Sequence, residues 1–464
     1  MNKKSFADVP GKKKSVGFTR LLLALILLFL FNIVNAQLIF NKNEYAARRE
    51  KLMEKITDGI LLIRGSTIPA GDVQFYQYNN LMYLTGVEVP DVMLLVDGIE
   101  KESYLFMSLD EKQARSDGYN VKLARDPVGV SGIEHVLPRD SVASILTRKL
   151  AKSKIVYVPH SPNELMAEVS KEKRNILQKT MIEDEWDGRP NRDMQFIHKL
   201  IDRFPGVIVK DCSPIIWDLR KIKSADEIEI MREAGRIGVL GHQAVIKASG
   251  NKVTEKYLAN LFEFTCKNEG ADGLAYYTIL MSGLNHAYGH YHKYDRTLEN
   301  GDFVILDAGP DYKYYDVDIS TTFPANGKFT DVQKESYELA LLVSETCLKN
   351  FKPGIRLADV GQKVREALIE KGYDPDNKKF ERWYKYGGYN HSIGMAVHDG
   401  MGTFDGTDEV LKPGFVFACD IMTSADSVTS VRIEDTVLIT ENGCEVLSAG
   451  LPRTVKEIES FMKK

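Results

Sequence analysis

Apolar residues along this chain come in two rhythms. Short unbroken runs at Gly59-Ile60-Leu61-Leu62-Ile63, Val92-Met93-Leu94-Leu95-Val96 and Ile155-Val156-Tyr157-Val158 predict buried strands. Amphipathic helical stretches separate them from Gln37 to about Pro214, and that alternation predicts a mixed α/β domain. The charged stretch from Lys171 to Arg192 predicts a solvated helix and loop. Beyond Asp211-Cys212-Ser213-Pro214 the pattern changes. Ser224-Ala-Asp-Glu227 is a capping-box sequence, and it opens a helix with Ile228, Met231, Val239 and Val245 at apolar positions. Thr254 starts a second helix, Thr330-Asp-Val-Gln333 caps a third that stops at Lys352-Pro353-Gly354, and a fourth runs from about Leu357 to Gly372. Apolar strands lie between and after them. The expectation is an α+β chain: a smaller α/β domain over residues 37–215, then helices packed on an antiparallel sheet over residues 216–464.

The amino end stands apart from this pattern. Lys3, Lys4, Lys12, Lys13, Lys14 and Arg20 precede an apolar run from Leu21 to Phe31, and Ile33-Val34-Asn35-Ala36 then offers small residues. The run is shorter than the roughly 20 residues that span a bilayer, so residues 1–36 read as a cleaved secretory signal, with an uncleaved anchor as the rival. Either reading exports the protein, to the periplasm or beyond. The whole 464-residue chain has a net charge of −4; the first 36 residues contribute +5, which leaves −9 for the remainder. An acidic surface of that kind does not suit a nucleic-acid partner. Five cysteines at 212, 266, 347, 419 and 444 are widely spaced without a CxxC pair, so neither a zinc knuckle nor a disulfide scaffold is indicated.

Two hairpins carry the candidate chemistry. Phe303-Val-Ile-Leu-Asp307 reads as a strand ending in a carboxylate, and Tyr312 to Ile319 as its return. A turn centred between Tyr312 and Lys313 would set Asp307 directly opposite Asp318, whereas one centred near Gly309-Pro310-Asp311 would not. Carboxylates held so close repel unless a cation sits between them. An exposed acidic hairpin that includes Asp316 is the plain alternative. Phe415-Val-Phe-Ala-Cys-Asp420 and Val431-Arg-Ile-Glu434-Asp435-Thr-Val-Leu-Ile439 repeat the arrangement, and a loop centred on Ser427 sets Asp420 opposite Glu434. Glu434 then shares a strand face with Arg432 and Thr436. It is either a ligand or the partner of Arg432. Histidines concentrate nearby, at 286, 290, 292, 391 and 398 among only nine in the chain.

Taken in order, these residues resemble a known family. Gly283-Leu-Asn285, His290-Tyr291, Leu306-Asp307-Ala-Gly309, Asp318-Ile319, Phe323-Pro324, Asn326-Gly-Lys-Phe329-Thr330, His391, Val397-His398-Asp399, Lys412-Pro413-Gly414 and Arg432-Ile433-Glu434-Asp435 look like the aminopeptidase P and prolidase branch of the pita-bread metallopeptidases. Tyr83-Leu84-Thr85-Gly86 is similar to the same family's creatinase-type amino-terminal domain. The resemblance implies a pita-bread domain holding two divalent metal ions, commonly manganese, on Asp307, Asp318, His391, Asp420 and Glu434. His290 and His398 become substrate-facing catalytic histidines. It further implies cleavage of the bond before a proline at the second position of a peptide, through a metal-activated hydroxide, and it admits a homodimer.

Three positions depart from the family pattern. Asp420 stands where Glu is usual, which draws the carboxylate back by roughly 1.5 Å against metal–oxygen distances of about 2 Å. Gly387 replaces a further His four residues before His391, and Thr321 replaces an Arg after Asp318-Ile319-Ser320. Two alternatives follow: a dipeptidase of the prolidase type, or a catalytically impaired peptide-binding module.

Overall fold

The computed structural model describes residues 38–68, 74–161, 171–374, 377–400, 410–423 and 428–463. The segment read as a signal and the loop position Ser427 lie outside the described residues. Among the described residues, no helix is long and apolar enough to cross a membrane.

The first domain is built on one mixed sheet. Its strands are β1 (Ile60–Arg64), β2 (Met93–Asp97), β3 (Glu102–Phe106), β4 (His135–Leu137), β5 (Ile155–Val158) and β6 (Ile208–Asp211), in the order β4-β3-β2-β1-β5-β6. The β1–β2–β3 meander is antiparallel, while β4, β5 and β6 each join in parallel. The central strands are apolar on both faces because both faces are covered. Helices α1 (Lys42–Met53) and α2 (Asn79–Thr85) pack through Tyr45, Leu52, Leu81 and Leu84 on one face, and α3 (Val142–Leu150) packs through Ile145 and Leu146 on the other. A helix does occupy Lys171–Glu183, within the charged stretch.

Between the domains lies α4 (Ser213–Lys221). The second domain then opens on α5 (Ala225–Ala248), where the Ser224–Glu227 capping box is formed in both directions. Helix α6 (Glu255–Asn268) starts at the Thr254 cap, α7 (Asp331–Asn350) carries a second complete box from Thr330 and Gln333, and α8 (Leu357–Glu370) follows. The segment β7 (Gly273–Leu274) joins β10 (Pro310–Tyr312) and β11 (Tyr315–Asp316) in a small three-stranded sheet. The large antiparallel sheet runs in the order β13 (His391–Ser392), β14 (Val416–Met422), β15 (Arg432–Ile439), β12 (Ser320–Pro324), β9 (Phe303–Asp307) and β8 (Ile279–Ser282), with β16 (Cys444–Val446) also paired to β15. Val304, Leu306, Phe323, Phe417, Val437 and Ile439 face the helices and form one core with Leu258, Phe262, Leu341 and Val364. The polar face of the same sheet is left for the site.

Candidate metal centre

Alternation along the strands places the acidic residues on one face. In the ladder, Asp307 of β9 stands opposite Ser320 of β12, Ser320 opposite Glu434 of β15, and Glu434 opposite Asp420 of β14. These four residues form a single cross-strand row, and side chains in such a row share a face. His391 of β13 pairs with Ala418, two residues before Asp420, and so belongs to the same face. Asp318 is two residues before Ser320. Its backbone is clipped to β15 by the Thr436 hydroxyl, which accepts from the Asp318 amide at 2.8 Å and donates to its carbonyl at 2.8 Å.

The expected opposition of Asp420 and Glu434 is therefore present, and that of Asp307 and Asp318 needs correction. The first hairpin turns on Lys313 and Tyr314, both with positive φ (53° and 69°), so Tyr312 pairs with Tyr315 and Asp311 with Asp316. Because the turn centre moves by one residue, the partner of Asp307 moves by two. Asp318 becomes a diagonal neighbour, and a shift of two keeps it on the same face. Its link to Asp307 is made by Tyr276, whose hydroxyl reaches Asp307 Oδ1 at 2.7 Å and also Asp318 Oδ1.

All the acidic groups are buried, and their protonation reflects it. Asp318, His391 and Glu434 offer ligand atoms within 4.8 Å of one another, with His391 Nε2 at 3.4 Å from Asp318 Oδ2 and 3.5 Å from Glu434 Oε1. Burial raises Glu434 well above the ordinary carboxylate range, with Asp318 and Asp420 adding to the rise. Burial lifts Asp420 to about 7 and Asp307 to about 6, each held back by the Arg432 guanidinium. At Asp318 burial also pushes up, but hydrogen bonding to His391 and its charge prevail and leave the group below its usual value. His391 is raised to about 10: burial pulls it down, and its bonds to Asp318 and Glu434 outweigh that.

The residues fit a bound cation. Among the described residues, four buried carboxylates share this face; Arg432 pairs with Asp307, and His391 lies against Asp318 and Glu434, the three forming the closest ligand group. Asp420 Oδ1 is fully buried with no hydrogen-bond partner among the described residues, which a metal–oxygen bond would satisfy. The donor set, oxygen-rich with one imidazole, is that of a hard to intermediate divalent ion.

Comparison with known proteins agrees with this geometry. Residues 229–441 match Metallopeptidase family M24, and residues 45–157 match the family described as Aminopeptidase P, N-terminal domain. The Xaa-Pro dipeptidase of Pyrococcus horikoshii is 30% identical over 66% of this chain and 86% of its own length. The chain belongs to metallopeptidase family M24. Among other M24 relatives, the Xaa-Pro aminopeptidase of Escherichia coli is 28% identical over 91% of this chain and 98% of its own. The solved structure of proline aminopeptidase P II from Yersinia pestis superposes with a TM-score of 0.73 at 26% identity, covering 91% of this chain and 99% of that one. The pita-bread domain preceded by an aminopeptidase P amino-terminal domain is thus the architecture of the M24 chain described above.

The other residues singled out in the M24 sequence are placed as follows. His398 stacks on His391, ring centroids 4.0 Å apart and planes 10° from parallel. His290 is exposed on the loop after the short helix Gly283–Ala287, and the preceding Gly289 carbonyl accepts from Arg432 at 3.4 Å. Arg432 does not pair with Glu434; its ion pair is with Asp307. Gly387 caps the helix Glu381–Tyr386 at φ 72°, and a side chain there would meet Cys347 Sγ at 3.2 Å and Val360 Cγ1 at 3.3 Å. That position faces the core. Thr321 points to the opposite face from Ser320 and bonds His242 Nδ1 at 2.9 Å, while His242 Nε2 lies 2.9 Å from the Ala308 carbonyl. The Nε2 proton is therefore donated to Ala308, and Thr321 donates to Nδ1. Tyr276 was not foreseen, since a single tyrosine before a strand carries no distinguishing pattern.

Proposed function

We propose that this chain is a metal-dependent aminopeptidase that hydrolyses the amino-terminal Xaa-Pro bond of peptides. One observation carries the reading: the row Asp307–Ser320–Glu434–Asp420, with Asp318 and His391 on the same buried face. Asp307, Asp318, His391, Asp420 and Glu434 hold two divalent ions, with manganese suited to the oxygen-rich set. When bound, the ions supply an activated water and polarise the scissile carbonyl. His398 and His290 orient that carbonyl and its developing charge. Asp420 or Glu434 passes the proton to the departing proline nitrogen. Tyr276 keeps Asp307 and Asp318 at a fixed separation.

The basic, then apolar, then small-residue pattern of residues 1–36 supports export of the protein, which amino-terminal sequencing of the mature chain checks. Homodimerisation follows from the family resemblance and is read by sedimentation. The Pyrococcus horikoshii relative, named as a dipeptidase, favours a second reading as a prolidase. Hydrolysis of Xaa-Pro-Xaa peptides against Xaa-Pro dipeptides separates the two. The central test is hydrolysis before and after chelation, with manganese added back. Activity that survives complete metal removal would end the proposal.

A further inference from the structure

His391 and His398 close the two ends of one short segment, but they are held differently. His391 is fixed within the β13–β14 ladder, whereas His398 lies in the turn that follows, outside any strand. Its neighbour Asp399 supplies the anchor. The Asp399 amide donates to the Ser392 carbonyl at 2.8 Å, and its Oδ2 accepts from the Met395 amide at 3.1 Å. Gly394 leaves room for this carboxylate, since a Cβ there would lie 2.1 Å from Asp399 Oδ2. The other oxygen, Oδ1, is 2.6 Å from Arg220 Nη2, in a pair with side chains 1% and 3% exposed. Lys223 is the other cation at hand, at 4.0 Å from Oδ2, and burial lowers its affinity for a proton.

Arg220 is itself held from the first domain. Its Nη1 donates to Asn80 Oδ1 at 2.7 Å, and Asn80 belongs to α2. The next residue back, Asn79, donates to the Met395 carbonyl, and Tyr83 Oη donates to the Leu219 carbonyl at 3.0 Å, fixing α2 against α4. A guanidinium presents its donors in a rigid fork, so its orientation at Asn80 dictates its orientation at Asp399.

We propose that the first domain takes part in the reaction by positioning: Asn80, through Arg220 and Asp399, sets the orientation of His398 over the metal face. Asn80, Arg220 and Asp399 are positioning residues, with no contact to substrate required. The inference rests on the assignment of His398 as a substrate-facing group.

The test is a double-mutant cycle in the full-length, metal-loaded protein. Arg220→Met is expected to lower kcat/KM for an Xaa-Pro peptide by about 10- to 100-fold, since misplacement of a catalytic group by about 1 Å costs on that order. Metal content is expected to be unchanged and Arg220→Lys to recover part of the loss. In a His398→Ala background the same change is expected to cost less than about twofold, because residues acting through one another are not additive. Asn80→Ala, a milder change, serves if Arg220→Met does not fold. An independent readout uses metal-free protein: the His398 imidazole nitrogen resonances, assigned by their loss in His398→Ala, are expected to move in Arg220→Met. Equal losses in both backgrounds, or unmoved resonances, would overturn the inference while the wild-type activity stands. An inactive wild type with displaced His398 resonances would instead count against the peptidase reading and leave the positioning chain supported.

Discussion

Asp420 and Glu434 occupy one rung of the β14–β15 ladder, and Asp420 ends it with a buried oxygen that has no hydrogen-bond partner among the described residues. The family's usual Glu would extend that oxygen by one methylene toward the cluster. Asp420→Glu is accordingly expected to raise affinity for the divalent ion and kcat together. Asp420→Asn preserves volume but removes the charge, and is expected to weaken metal binding by at least about 100-fold, since even groups one step removed from a metal are worth roughly 10- to 100-fold. Metal titration by calorimetry, alongside peptide hydrolysis, checks both. If Asp420→Asn binds metal like the wild type, Asp420 is not a ligand.

Arg432 pairs with Asp307 inside the cluster, where both are nearly inaccessible to water. Arg432→Leu leaves the carboxylate buried without its cation, and removing one partner of a buried pair costs about 3–5 kcal/mol. That loss is expected in full only for the metal-free protein, because a bound ion neutralises Asp307 in its place. Denaturant unfolding in chelator and in excess divalent ion measures the two cases. An equal loss in both would show that Arg432 does not compensate for the missing ion.

What the sequence made legible is what local chemistry decides. The Ser224–Glu227 and Thr330–Gln333 boxes involve residues three apart, and both form as expected. The rung of Asp420 and Glu434 followed from strand alternation on either side of one loop. The register of Asp307 was missed by two because the turn is made by Lys313 and Tyr314. Neither is a glycine or asparagine, so nothing in the sequence marks their positive φ. That Tyr276 and Arg432 would bind Asp307 was beyond reach for a different reason. Their bonds to Asp307 span 31 and 125 residues and exist only once the sheet has assembled.

Protons and metal compete for the same oxygen atoms. Burial raises Asp420 to about 7 and Asp307 to about 6, and His391 holds its proton to about 10 in the absence of an ion. Metal binding at neutral pH therefore releases protons. Affinity is expected to fall as pH drops from 8 to 5, by about tenfold per unit for each proton displaced. Calorimetry at pH 7 in buffers of different ionisation enthalpy gives the number released directly. A binding enthalpy independent of buffer would contradict the scheme.

Asp311 and Asp316 face each other across the second hairpin rung, and each is almost wholly buried. Burial raises Asp311 to about 8, with Asp272 and Glu88 adding to the rise, and it lifts Asp316 well above its ordinary value. The pair is thus folded with protons that the unfolded chain would have lost at neutral pH. For a carboxyl raised in this way, the stabilising contribution is complete below the unfolded value and disappears as pH rises through the folded one. The protein is therefore expected to lose stability as pH rises from about 4 to 8. Asp311→Asn cannot ionise and can still donate to Asp316, so its melting temperature is expected to exceed the wild type by at least about 2 °C at pH 9 and to lose most of that advantage at pH 5. Scanning calorimetry at both pH values decides it: parallel curves for the two proteins would mean that the pair does not share a proton.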